Sequence, residues 1–154
     1  MKLNLGCGDL TFEGFVNVDR YSGPRIDRVH DLDVHPWPFE DESVTELRAF
    51  DVYEHVVDPL GFMAEVWRVC RPQASVRLRT TKWDTRQSYT DPTHRRFLTE
   101  ESFDYWIPGT EFHRKYGAGY SEGKHFRLDR VWTDGSELEW SLIRTDHCLG
   151  ACDG

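Results

Sequence analysis

The sequence predicts an α/β domain with a mostly parallel sheet closed by a C-terminal antiparallel hairpin, and three observations carry that prediction. Four short segments each run into glycine or aspartate: Leu5 into Gly6-Cys7-Gly8, Val18 into Asp19, His30 into Asp31-Leu32 and Phe50 into Asp51. One amphipathic helix lies between the fourth of these strands and a fifth, the arrangement of a parallel crossover. Near the end, two segments of alternating apolar residues flank a turn.

Taken in order, Lys2 to Leu5 is the first strand and Phe15-Val16-Asn17-Val18 the second. Ile26 to His30 is the third, and Val44 to Phe50 the fourth. The helix begins at Asp58, which caps free amides, and Pro59 suits the first helical position because its missing N–H costs nothing there. Phe62, Val66, Val69 and Cys70 make one buried stripe. Arg71-Pro72 is expected to stop the helix, since proline disfavours helical geometry before it. Ser75 to Thr81 is the fifth strand. The polar stretch from Trp83 to Arg96 is too long for a mere connector. Thr99 is expected to cap a short helix through Ile107, with Leu98 and Phe103 as its staple. Phe126-Leu128-Arg130-Trp132 and Leu138-Trp140-Leu142 then form the hairpin around Thr133-Asp134-Gly135-Ser136.

Composition narrows the function. The 154 residues carry 19 Lys+Arg against 27 Asp+Glu, and a net charge of −8 argues against general nucleic-acid binding. Aromatics at 14% argue against disorder. No apolar run approaches the roughly 18 residues of a membrane span, and the first residues lack a signal-peptide core, so a cytoplasmic location is expected. The four cysteines fit a reducing compartment better than a disulfide framework. His147, Cys148 and Cys152 offer three soft ligands where a structural zinc site needs about four, so a frayed tail over 147–154 and no metal site are expected.

Ligands of open α/β sheets bind outside the carboxyl ends of the strands. Those ends here carry Gly6-Cys7-Gly8, where backbone can approach a ligand closely, and Asp19, whose carboxylate can accept both hydrogen bonds of a ribose diol. With Asp31-Leu32 and Ala49-Phe50-Asp51, four such features stand at four successive strand ends.

These residues resemble a known family. Leu3-Asn4-Leu5-Gly6-Cys7-Gly8 and Val16-Asn17-Val18-Asp19 are similar to the first two motifs of class I S-adenosylmethionine-dependent methyltransferases. His30-Asp31-Leu32 with Pro36-Trp37-Pro38-Phe39 and Asp41-Glu42-Ser43 resembles the third. Ala49-Phe50-Asp51-Val52-Tyr53-Glu54-His55-Val56 resembles the fourth, and Arg68-Val69-Cys70-Arg71-Pro72 the end of the helix before strand five. The likeness covers residues 2–107 and is strongest over 30–72. It implies one Rossmann-like domain, residues 1–146, with S-adenosylmethionine as cofactor. Gly6, Cys7 and Gly8 would lie along its methionine part, Asp19 would hold the ribose hydroxyls, Asp31 would meet the adenine amine with Leu32 against the ring, and Ala49-Phe50 would sit beneath the sulfonium.

One departure stands out: only residues 9–18 separate Gly8 from Asp19, so the family's first helix is missing or a single turn. The rival reading, a dinucleotide-dependent dehydrogenase, fails on spacing, because Thr11 stands where the third glycine belongs and the acid arrives too early.

The acceptor is less legible. Over 77–96, Arg77, Arg79, Lys82, Arg86, Arg95 and Arg96 face only Asp84 and Asp91, a local charge of +4 that would suit a small anionic molecule. His94, in Asp91-Pro92-Thr93-His94-Arg95-Arg96-Phe97, which resembles a motif of small methyltransferases, can take a proton or stitch its loop. Asp51 is the second candidate base. Glu54 and His55 are expected to cap and orient the segment after strand four. Methylation of an oxygen or nitrogen of a small-molecule acceptor is the leading expectation; a cofactor-binding scaffold without catalysis is the alternative. The sequence sets no oligomeric state.

Overall fold

The computed structural model describes residues 1–146. The expected tail, with Cys148 and Cys152, lies outside the described residues. Seven strands form one sheet in the order β3-β2-β1-β4-β5-β7-β6, where β1 is Lys2–Leu5, β2 Val16–Asp19, β3 Arg28–Val29, β4 Val44–Phe50, β5 Cys70–Thr81, β6 His125–Asp134 and β7 Glu137–Thr145. The first five are parallel; β7 runs antiparallel to β5 and β6. This is the expected α/β architecture with its closing hairpin.

One helix, α1 (Pro59–Val69), crosses from β4 to β5. Asp58 caps it by accepting the Gly61 amide. Phe62, Met63, Val66 and Val69 are buried on the sheet beside Leu3, Leu5, Leu47, Ala49, Val76 and Leu78. An aromatic chain extends this core across the sheet. Trp37 meets Phe62 edge-on at 5.2 Å, Phe62 meets Tyr53 at 5.5 Å, Tyr53 meets Phe103 at 4.9 Å, and Phe103 meets Trp140 at 4.7 Å.

The opposite face differs. β4 and β5 turn Glu46, Arg48, Phe50, Arg77 and Arg79 to it, all half-buried. No helix follows β1; residues 6–15 form turns whose Phe12 and Phe15 rings stack on the Arg48 guanidinium at 4.6 and 4.4 Å. Two strand asparagines hold this segment. The Asn4 amide donates to Leu10 O (2.7 Å) and to Asn17 Oδ1 (2.9 Å), which also accepts the Phe12 amide (3.0 Å). Asn17 Nδ2 donates in turn to Asp27 (3.0 Å). Asn17→Ala leaves two of these donors without their acceptor, so a loss of about 1–3 kcal/mol is expected in urea unfolding.

Four expectations are corrected. β3 is two residues, not five, because both its side chains are exposed and an edge strand there buries nothing. The helix ends at Val69, and Arg71-Pro72 already belongs to β5. Proline, lacking an N–H, sits where the β4–β5 register shifts, next to Gln73 at φ +66°. Residues 99–107 form turns with a 3₁₀ turn at Asp104–Trp106 instead of a helix. Ser102, Asp104, Trp106 and Ile107 each donate to the residue three back, which lets Phe103 and Trp106 both reach the core before Pro108. Finally, α2 (Arg86–Thr90) lies in the polar stretch expected to be irregular, and α3 (Glu111–Tyr120) in a stretch for which no element was expected. Thr110 caps α3 through the His113 amide, and Phe112, Tyr116 and Tyr120 gather around Tyr105. No helix among the described residues is long and apolar enough to cross a membrane.

Candidate functional site

The carboxyl ends of β1 and β2 meet through Asp19. Its Oδ2 accepts the Gly8 amide (2.9 Å) and its Oδ1 the Tyr21 amide (3.0 Å), so each oxygen keeps a further lone pair. Gly6 and Gly8 both have positive φ, +56° and +47°. A Cβ at Gly6 would lie 2.5 Å from Val52 Cγ2, whereas one at Gly8 would meet nothing within 4 Å. Gly6 is therefore fixed by close packing, and Gly8 borders open space. A cavity of about 420 Å³ lies there, lined by Gly8, Asp9, Thr11, Asp19, Tyr21 and Ile26 among others.

The other expected cofactor residues do not line that cavity. Cys7, Leu32 and Ala49 are buried in the core. Asp31 pairs with Arg20 at 2.8 Å and accepts the Asp33 amide at 3.1 Å. Phe50 lies edge-on to Phe12 at 6.3 Å, with the Arg79 guanidinium 4.7 Å from its ring. All stand at the expected strand ends, yet only Gly8 and Asp19 meet at the cavity.

Asp51 follows β4 in a left-handed turn (φ +57°), where Oδ2 accepts from Arg79 Nη2 at 2.6 Å. This ion pair engages one of the two candidate bases. His94 is differently placed. Its Nδ1 lies 2.8 Å from Ser88 O, and a carbonyl only accepts, so Nδ1 carries the proton and Nε2 a free lone pair. A groove of about 600 Å³ opens beside it, lined by Thr81, Arg86, Gln87, Thr90, Asp91, Pro92 and His94.

Two residues join His94 that the sequence reading did not place there, and Thr93 of its own loop ties one of them in. The His55 ring lies 4.7 Å from it, edge-on. Glu54, 1% exposed, lies close by with neither carboxylate oxygen in a hydrogen bond of good geometry, although the Thr80 hydroxyl is adjacent. Burial pushes the Glu54 carboxyl above its usual value. It also pulls His55 below its own, an effect the neighbouring His94 reinforces. Thr93 accepts from one side and donates to the other: its hydroxyl gives its proton to Asp91 Oδ1 (2.7 Å) and so takes the His55 Nδ1–H (2.9 Å). Capping of the following segment falls instead to Asp58 and to Asp33, which accepts the Val57 amide at 2.7 Å. The Asp-Pro-Thr turn is readable in sequence; the union of Glu54-His55 with His94 is not, because 39 positions separate His94 from His55.

The local positive charge is smaller than its sequence count. Arg77 pairs with Glu139 (2.6 Å), Arg79 with Asp51, and Lys82 with Asp84 (3.3 Å). Arg96 instead donates to the carbonyls of Tyr53 and Val56, and Arg95 to that of His55, and neither makes an ion pair among the described residues.

Comparison with known proteins agrees with this architecture. Residues 11–78 match the family model of a methyltransferase domain. Among solved structures, a SAM-dependent methyltransferase from Thermotoga maritima superposes with a TM-score of 0.66 at 14% identity, over 94% of this chain and 82% of that one. A methyltransferase from Haloferax volcanii, in complex with the Trm112 methyltransferase activator, gives 0.62 at 11% identity, over 94% and 82%. A SAM-dependent methyltransferase from Aquifex aeolicus gives 0.55 at 16%, over 92% and 80%. No curated protein sequence matches.

Proposed function

We propose that this chain, whose fold and matched domain resemble those of class I methyltransferases, uses S-adenosylmethionine to methylate an oxygen or nitrogen of a small molecule. The observation that carries the reading is Asp19, held by two backbone amides with a lone pair left on each oxygen, beside a cavity floored by Gly8. Those residues suit the ribose diol and an adjoining close backbone approach. Gly6, Cys7, Ala49 and Phe50 support the same site by packing, and Asp31 with Leu32 would serve the adenine end once Arg20 releases Asp31. When bound, the cofactor supplies a sulfonium methyl already activated for displacement, so the protein mainly orients the acceptor and excludes water.

His94 is the favoured proton acceptor, because Asp51 is held by Arg79 and the His94 Nε2 lone pair is free beside the groove. Arg95 and Arg96, which make no ion pair among the described residues, favour an anionic acceptor nearby, and the chain's net charge argues against nucleic acid. The buried free thiols of Cys7 and Cys70 suit the reducing cytoplasm. Methyl transfer from labelled cofactor across a panel of small hydroxylated and amino acids tests this reading. His94→Gln should retain cofactor binding and lose roughly 100-fold in rate. Cofactor binding without any methylated product would favour the scaffold alternative.

A further inference from the structure

We propose that Glu54, His55 and His94 form a binding site for one divalent transition-metal ion of the zinc class, with the Glu54 carboxylate and the two imidazole Nε2 atoms as its ligands. One donor atom from each residue lies within 4.8 Å of the other two. The carboxylate is the decisive member. It is almost wholly buried, neither of its oxygens makes a hydrogen bond of good geometry although the Thr80 hydroxyl is adjacent, and it lies within reach of two imidazoles. Burial makes its ionised form costly unless a cation partners it.

As neutral rings the two imidazoles offer no N–H from Nε2, because each Nδ1 proton is committed elsewhere. His94 Nδ1–H goes to Ser88 O and His55 Nδ1–H to the Thr93 hydroxyl, itself anchored on Asp91. Ligating histidines are held in this way: the second ring nitrogen donates to an outer acceptor, which fixes tautomer and ring orientation. With Glu54 ionised, the three residues present acceptors and no donor to the centre. Two nitrogens with one carboxylate suit zinc, cobalt or iron(II) and not the harder magnesium or calcium ions, which prefer all-oxygen sites. Tetrahedral bonds of about 2.0–2.1 Å place ligands roughly 3.3 Å apart, so donors within 4.8 Å of one another close by at most about 1.5 Å on binding. Three protein ligands leave a position for a water or an oxygen of a molecule in the adjoining groove.

This inference needs only the three side chains and does not depend on methyl transfer. It competes with the proton-acceptor role of His94, since one lone pair serves either an ion or a proton.

The test is a titration of chelator-stripped, full-length chain with Co²⁺, followed by visible absorption and by metal content after gel filtration. One equivalent should bind and give the d–d bands of a nitrogen–oxygen site, with no thiolate charge-transfer band. Glu54→Gln, His55→Ala and His94→Ala should each weaken binding by at least about 100-fold, and Thr93→Val by about tenfold, as expected for an outer partner. Two controls should bind as the parent does: His113→Ala, whose ring lies 5.0 Å from His125, and the Cys148→Ser/Cys152→Ser pair. Metal-free urea unfolding establishes which variants fold. His55→Ala, at a half-exposed position, decides the matter if Glu54 or His94 variants do not. No saturable binding by the parent chain overturns the proposal, as does a first equivalent that His55→Ala retains or that only the cysteine pair abolishes.

Discussion

Arg68→Met is expected to destabilise the fold by about 3–5 kcal/mol, the cost of leaving a buried charge without its partner. Arg68 sits in the last turn of α1 and gathers five acceptors. Its Nε and Nη2 hold both oxygens of Glu65 at 2.7 and 2.6 Å, and Nη1 reaches Phe39 O at 2.9 Å. Nη2 also reaches Trp37 O at 3.1 Å, and Nη1 the Asp41 carboxylate at 2.6 Å. The Asp41 contact is mostly exposed and contributes little. Glu65 is buried and decides the magnitude. Burial alone would raise its carboxyl, but the Arg68 guanidinium and the Trp37 amide outweigh burial and hold it below its ordinary value of 4.5. A carboxyl depressed in the folded state stabilises the protein above its unfolded value, and that contribution is lost as pH falls through the folded one. The gap between parent and Arg68→Met should therefore be widest near neutrality and narrow below pH 4.5. Urea unfolding at two pH values checks both statements.

Asp19→Ala is expected to weaken cofactor binding by at least tenfold, and by at least about 100-fold if both ribose hydrogen bonds are lost. Hydrogen bonds to a charged group are worth roughly 1.5–3 kcal/mol each, and about 1.4 kcal/mol is a factor of ten. The same substitution frees the Gly8 and Tyr21 amides, so the turn after β1 loses its anchor along with the ligand's. Because that turn is at the surface, the variant should still fold. Calorimetry on folded Asp19→Ala is the measurement, and unchanged affinity would show that the end of β2 does not hold the ribose.

The parallel sheet was readable because its strands carry their own signals: alternating or continuous apolar residues ending in glycine or aspartate. The hairpin from Phe126 to Leu142 was readable for the same reason. What failed was local propensity set against packing. Thr99-Glu100-Glu101 looks like a helix start, but Pro108 closes the segment so soon that only i→i+3 turns form, among them the 3₁₀ turn at Asp104–Trp106. Gly117 and Gly119 conceal α3, which Thr110 nonetheless caps. The missing first helix was legible from the ten residues after Gly8, although its replacement by Phe12 and Phe15 stacked on Arg48 was not.

At the site, the strand-end residues were legible and their partners were not. Nothing in a linear pattern tells that Arg79 on β5 will reach Asp51, or Arg20 reach Asp31. Likewise, Glu54-His55 gave no sign of meeting His94, because that meeting depends on how the loop after β5 folds back over the end of β4. Charge counting over 77–96 misled for a related reason: β7 supplies Glu137 and Glu139 to the same face.

The central claim, that the ends of β1 and β2 hold S-adenosylmethionine, is tested most directly by isothermal titration of the chain with the cofactor and with its demethylated product. Saturable one-to-one binding of both ligands, weakened in Asp19→Ala, is the predicted result. Failure of the folded parent chain to bind either ligand would contradict it.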